Sequence, residues 1–133
     1  LMHLSTFKCT CGVFNLSFIL IMKKKLIIIS TKYFKLFENK NIDELSKLFS
    51  HSVILKDWEI KIKGRKKLIN FLTKVFDANS FKIKIINHFT NEIKKINACK
   101  IIITLKGKKK LQVIDIIHFD KNLKIKKIEA YKC

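Results

Sequence analysis

Asp115 lies in the middle of Leu111-Gln112-Val113-Ile114-Asp115-Ile116-Ile117-His118-Phe119, a run whose branched and aromatic residues predict a strand. Alternation puts Leu111, Val113, Asp115, Ile117 and Phe119 on one face. A carboxylate there is costly unless it is hydrogen-bonded, ion-paired or protonated. Acids in dry pockets are where proton chemistry is often found. Asp57 closes a second alternation, Val53-Leu55-Asp57, so it faces the same way as its apolar neighbours. Tyr33 lies on the apolar face of a helix, where its hydroxyl would seek a partner. One base and one donor for a developing enolate are what proton removal beside a carbonyl requires. Each residue also has a plainer reading. Asp115 could be hydrogen-bonded and idle, Tyr33 a core tyrosine bonded to backbone, and Asp57 a turn cap or a solvated strand end.

The elements that must position these residues follow from periodicity. Leu26, Ile29, Tyr33, Leu36 and Phe37 recur at helical spacing and predict a first amphipathic helix. Asn41 with Glu44 predicts an N-cap and capping box for a short second helix carrying Ile42, Leu45, Leu48 and Phe49. After the Val53–Asp57 strand, a turn near Gly64 leads to a third helix with Leu68, Phe71, Leu72, Val75 and Phe76. Four β runs follow, Phe81–Thr90, Lys95–Leu105, Lys110–Phe119 and Leu123–Tyr131, joined by turns that suit antiparallel hairpins. Three helices and a mostly antiparallel sheet make an α+β domain, and a curved sheet around helices makes a cone with a small-molecule pocket at its mouth.

Composition limits the alternatives. A chain of 133 residues with 48% hydrophobic content is one domain with one core. The net charge of +19 invites a nucleic-acid reading, yet Arg65 is the only Arg, and Arg is the residue favoured for bidentate phosphate and base contacts. The lysines are scattered, so no specific nucleic-acid partner is expected, only weak, salt-sensitive binding. Cys9 and Cys11 form a lone C-x-C, and His3, His51, His88 and His118 are dispersed, so no metal is expected. Neither is a disulfide framework, which points to a cytoplasmic protein. Val13 to Met22 is apolar but too short to span a bilayer, so no membrane partner is expected. Met22-Lys23-Lys24-Lys25 looks like a protein start. Residues 1–21 are therefore expected to be a poorly ordered leader or upstream segment, with the domain at 22–133.

The strings YFKLFENKNIDELSKLFSHSVILKDWE, GRKKLINFLTKVF and LQVIDIIHFDKNLKIKKIEAYK resemble, in order and spacing, the nuclear transport factor 2-like (SnoaL-like) superfamily over residues 24–133. Within it, bacterial ketosteroid isomerases offer the sharpest comparison. Tyr33 stands at their helix-borne tyrosine, Asp57 at their general base, and Asp115 at their Val-Ile-Asp oxyanion donor, an acid held neutral so that it can donate a hydrogen bond. The resemblance implies those roles here, a cofactor-free isomerase, cyclase or dehydratase activity on a small hydrophobic molecule, and a homodimer. Trp58, Phe76, Val113, Ile117 and Tyr131 are the expected substrate-binding residues. Trp58 replaces the Pro after the base, Phe49 and Leu72 replace two supporting tyrosines, and Lys132 replaces an aromatic, so a steroid is not the expected substrate. A noncatalytic binding or dimerisation module is the alternative.

Overall fold

Helix α1 (Leu16–Glu38) buries Met22, Leu26, Ser30, Tyr33 and Phe34, a spacing that holds one stripe against the rest of the fold. The structure, a computed structural model, describes residues 16–133. The expected leader at 1–21 lies outside the described residues as far as position 15, and Leu16 to Ile21 form the first turns of α1. The helix ends in a Schellman turn. Asn41 N–H donates to Leu36 O at 2.9 Å and Lys40 N–H to Phe37 O at 3.1 Å, with Lys40 at φ 58°. Asn41 then caps α2 (Ile42–Leu48), its Oδ1 accepting from Glu44 N–H at 3.3 Å. The capping box is only half made, because the Glu44 carboxylate pairs with Lys47 at 2.9 Å.

Strand β1 (Phe49–Lys56) turns back through residues 57–60 into β2 (Lys61–Lys63), its antiparallel partner. Gly64 follows at φ 99°, a conformation that suits glycine, and its N–H donates to Val53 O at 2.8 Å. That bond sets the start of α3 (Arg65–Ala78) against β1. The chain then runs as a meander through β3 (Phe81–Asn91), β4 (Ile96–Leu105), β5 (Lys110–Phe119) and β6 (Ile125–Lys132). The sheet order is β2-β1-β6-β5-β4-β3, with β1 parallel to β6 and every other pair antiparallel.

Register shifts at Ile85/Asn87 and His118/Phe119 mark bulges, which bend a strand and raise its local twist. The curved sheet stays open, and α1 packs on β3 and β4 while α3 packs on β1. Leu26, Leu45, Phe49, Val53, Ile117, Phe119 and Ile125 fill the space between helices and sheet. The four predicted β runs match β3–β6 to within two residues. The strand β2 and the parallel β1–β6 pairing add to the sequence reading. A three-residue strand carries no alternation to detect, and pairing direction depends on where a distant segment returns.

Candidate functional site

Cys99, Asp115 and Ala130 stand opposite one another across β4, β5 and β6. Two small side chains beside Asp115 leave space on the helix-facing side of the sheet. There lies a cavity of about 450 Å³, within the usual size range for small-molecule sites. Tyr33 reaches it from α1, Asp57 and Trp58 from the turn after β1, and Phe71, Leu72 and Val75 from α3. Leu111, Val113 and Asp115 come from β5. Tyr33, Asp57 and Asp115 thus share one predominantly apolar chamber.

Each of the three is held differently. Tyr33 is 4% exposed, and its ring packs edge-on against Phe34 at 5.0 Å and Phe49 at 6.1 Å between centroids. Burial pushes its phenol well above its ordinary value of 10.0, and the charges of Asp115 and then Cys99 add to the effect. Asp57 sits one residue past β1. Its Oδ1 accepts from Glu59 N–H at 2.7 Å and Ile60 N–H at 2.8 Å, which fixes the carboxylate and leaves Oδ2 for a ligand. Asp115 is 8% exposed. Burial, and secondarily the charge of Asp57, raise its pKa from 3.8 to about 7. Among the described residues, Asp115 and the Tyr33 hydroxyl have no hydrogen-bonding side-chain partner, so both are available to an occupant of the cavity.

Of the expected substrate-binding residues, Trp58 and Val113 line the cavity. Phe76, Ile117 and Tyr131 do not. Phe76 is buried against Phe37 at 4.9 Å, and Ile117 is fully enclosed in the core, deeper along β5 than Asp115. Tyr131 is 49% exposed and donates its hydroxyl to Glu129 Oε2 at 3.1 Å. His118, which pairs with Glu129 Oε1 at 2.8 Å, occupies the sheet face opposite Asp115. The sequence reading missed Glu59 and Asn79, which line the cavity and are exposed, and Phe71 and Leu111 on its wall. The spacing of Phe71 and Val75 on one side of α3 was the available signal.

A buried polar cluster flanks the chamber. Asn97 Nδ2 donates to Ser30 Oγ at 2.9 Å and lies 3.0 Å from His88 Nδ1, while Ser30 Oγ donates to Leu26 O at 2.7 Å. Cys99 Sγ lies 3.6 Å from the same His88 nitrogen, and burial, with the charge of Asp115, pushes its thiol up to about 12. An amide N–H reaching His88 Nδ1 requires that nitrogen to be the acceptor, which places the ring proton on Nε2. Burial lowers the His88 pKa and so favours this neutral ring. Among the described residues no group of three or more His, Cys, Asp or Glu side chains could hold a metal ion, and no helix is long and apolar enough to cross a membrane.

No protein-family model and no curated protein matches the chain. Solved structures do. An NTF2-like protein of unknown function from Cytophaga hutchinsonii aligns with TM-score 0.69 at 14% identity over 81% of this chain and 89% of that one. SalBIII, an epoxide hydrolase/cyclase-like enzyme of pyran ring formation in the polyether salinomycin, aligns with TM-score 0.74 at 13% identity, covering 84% and 92%. A ketosteroid isomerase-like protein from Kribbella flavida aligns with TM-score 0.72 at 14% identity, covering 83% and 78%. At such identities the likeness is one of fold.

Proposed function

We propose, from the NTF2-like fold that this chain has, that its cavity binds a small hydrophobic carbonyl compound and catalyses cofactor-independent proton transfer of the isomerase, cyclase or dehydratase kind. Asp57 removes a proton from the carbon beside the carbonyl through Oδ2, the oxygen not committed to its turn. Tyr33 and a neutral Asp115 donate hydrogen bonds to the oxygen on which negative charge develops. Asp57 then returns the proton at a second carbon, or the enolate expels a leaving group. The observation that carries this reading is the contrast between two acids on one cavity. Asp115 is buried and raised to about 7, while Asp57 is anchored by two backbone N–H groups. The cyclase-like and isomerase-like descriptions of two structural neighbours agree with it.

The test is exchange of α-protons for deuterium in a panel of small enolisable ketones, followed by NMR. Asp57→Asn is expected to slow that exchange by roughly 10²- to 10⁴-fold. Exchange that Asp57→Asn leaves untouched removes Asp57 as the base.

A second reading, a noncatalytic binding module, is favoured by Phe49 and Leu72, apolar wall residues that offer Tyr33 and Asp115 no hydrogen bond. Saturable ketone binding with no exchange in the wild type would support it. A homodimer is also proposed. Phe89, Ile102, Ile114 and Ile116 share the outer sheet face and leave apolar surface there, and sedimentation equilibrium measures the assembly.

A further inference from the structure

The charge of the cavity is opposite to that of the protein. The chain has 29 Lys and Arg against 10 Asp and Glu, yet no described Lys, Arg or His lines the chamber. Three acids do: Asp115 in the buried wall, Asp57 at the turn, and Glu59 on the exposed side of the same turn. Lys132 Nζ lies 5.6 Å from the centre of the Trp58 ring. Lys56 and Lys132 line a separate, smaller depression that shares Asp57, Trp58 and Ala130 with the main chamber. Glu59 forms no ion pair among the described residues, although Lys and Arg outnumber Asp and Glu by 29 to 10 in the chain. Asp115 is more than nine-tenths buried, faces the chamber, and has no hydrogen-bonding side-chain partner among the described residues.

These facts sort ligands by charge. A carboxylate or phosphate entering the chamber would lose its water beside three carboxyl groups, with no cation on the chamber's own lining to replace that water. An ammonium group would meet carboxylates and aromatic rings, the two partners that hold cations in apolar sites. Lysines elsewhere on the surface oppose it only weakly, because salt screens charges beyond about 8 Å.

We propose that the ligand is an apolar compound with a basic nitrogen, held so that the ammonium rests at the mouth on Glu59 while the apolar body fills the chamber. This rests on the cavity being the ligand site, as in the proton-transfer reading. It adds that the substrate is an amine-bearing carbonyl compound and that Glu59 selects it.

Calorimetric titration of the full chain with three matched probes tests this: a phenylcyclohexyl amine, the corresponding ketone and the corresponding carboxylate. In about 0.15 M salt near pH 7, the amine is expected to bind about tenfold tighter than the ketone, and the carboxylate to give no heat. Glu59→Gln is expected to bring the amine-to-ketone ratio towards one, and Glu59→Lys to favour the carboxylate over the amine. Val113→Phe, which fills the chamber, is expected to remove amine binding. A ketone that binds as tightly as the amine overturns the inference and leaves the proton-transfer reading standing. So does an amine preference that survives Glu59→Gln. Amine binding that survives Val113→Phe places the site elsewhere and overturns it too. Failure of all three probes to bind overturns the inference, whereas deuterium exchange unaffected by Asp57→Asn counts only against the proton-transfer reading.

Discussion

The charge of Asp57 raises the pKa of Asp115, although one carboxyl group enters the cavity from the turn after β1 and the other from β5. Asp57 is tied down by its own turn through Glu59 and Ile60 N–H, whereas Asp115 has only burial and that neighbouring charge acting on it. Asp115 is therefore set up to keep its proton, while Asp57 keeps Oδ2 free for a ligand. This is the division of labour that enolate chemistry requires.

Carboxyl-carbon NMR, assigned with Asp115→Asn, should show Asp115 titrating at about 7. Asp57→Asn should lower that midpoint by removing the second cause, while burial keeps it above the unperturbed value of about 4. A wild-type midpoint near 4 would rule out the donor role. Activity that needs neutral Asp115 should accordingly be lost as pH rises through about 7.

Asp115 should also make stability depend on pH. Its folded value, about 7, lies above its ordinary value of 3.8, so the fold binds this proton more tightly than the unfolded chain does. The stabilisation from this group is complete below pH ~4, declines between ~4 and ~7, and is gone above that, a span on the order of 4 kcal/mol. Asp115→Asn cannot ionise. Urea unfolding should find it more stable than wild type near pH 8, by roughly 1–3 kcal/mol, with the difference closing towards pH 4. Parallel pH profiles for the two proteins would contradict this.

Tyr33→Phe should separate packing from chemistry. The ring keeps its contacts with Phe34, Phe37 and Phe49, so stability should change by less than about 1 kcal/mol. Turnover should fall by roughly 10²- to 10³-fold if the hydroxyl stabilises the enolate. A turnover that matches wild type would leave Tyr33 as a core tyrosine.

Val113 and Ile117 lie on the same strand face, yet only Val113 borders empty space. Val113→Phe should cost less than about 1 kcal/mol while blocking ligands, whereas Ile117→Phe should cost about 1–3 kcal/mol through overpacking. Thermal melts with and without a bound ketone compare the two directly.

That pair also shows what the sequence could convey. Alternation along Leu111–Phe119 correctly separated the face bearing Asp115 from the face bearing His118. It held no information about depth, and depth is what puts Val113 on the cavity and Ile117 in the core. Phe76 fails for the same reason on α3, where one wide apolar stripe serves both chamber and core. Tyr131 fails differently. In the β5–β6 ladder it stands opposite Ile114, on the outer face. Asp57 was placed by the end of an alternation, but its anchoring to Glu59 and Ile60 depends on a turn whose backbone no pattern specified. The Ser30–Asn97–His88 cluster joins residues up to 67 positions apart, and pairing at that distance leaves no local trace.

The parallel pairing of β1 with β6 also orders events during synthesis. Leu55 meets Ile128 and Phe49 meets Ile125, so one side of β1 has no sheet partner until those later residues have left the ribosome. Contacts this distant in sequence are slow to form, and a nascent chain halted after β5 would carry the acids of the chamber without Ile128 and Ala130 to wall it. Amide protection in β1 is therefore expected to appear together with protection in β6, as a late and single step of folding.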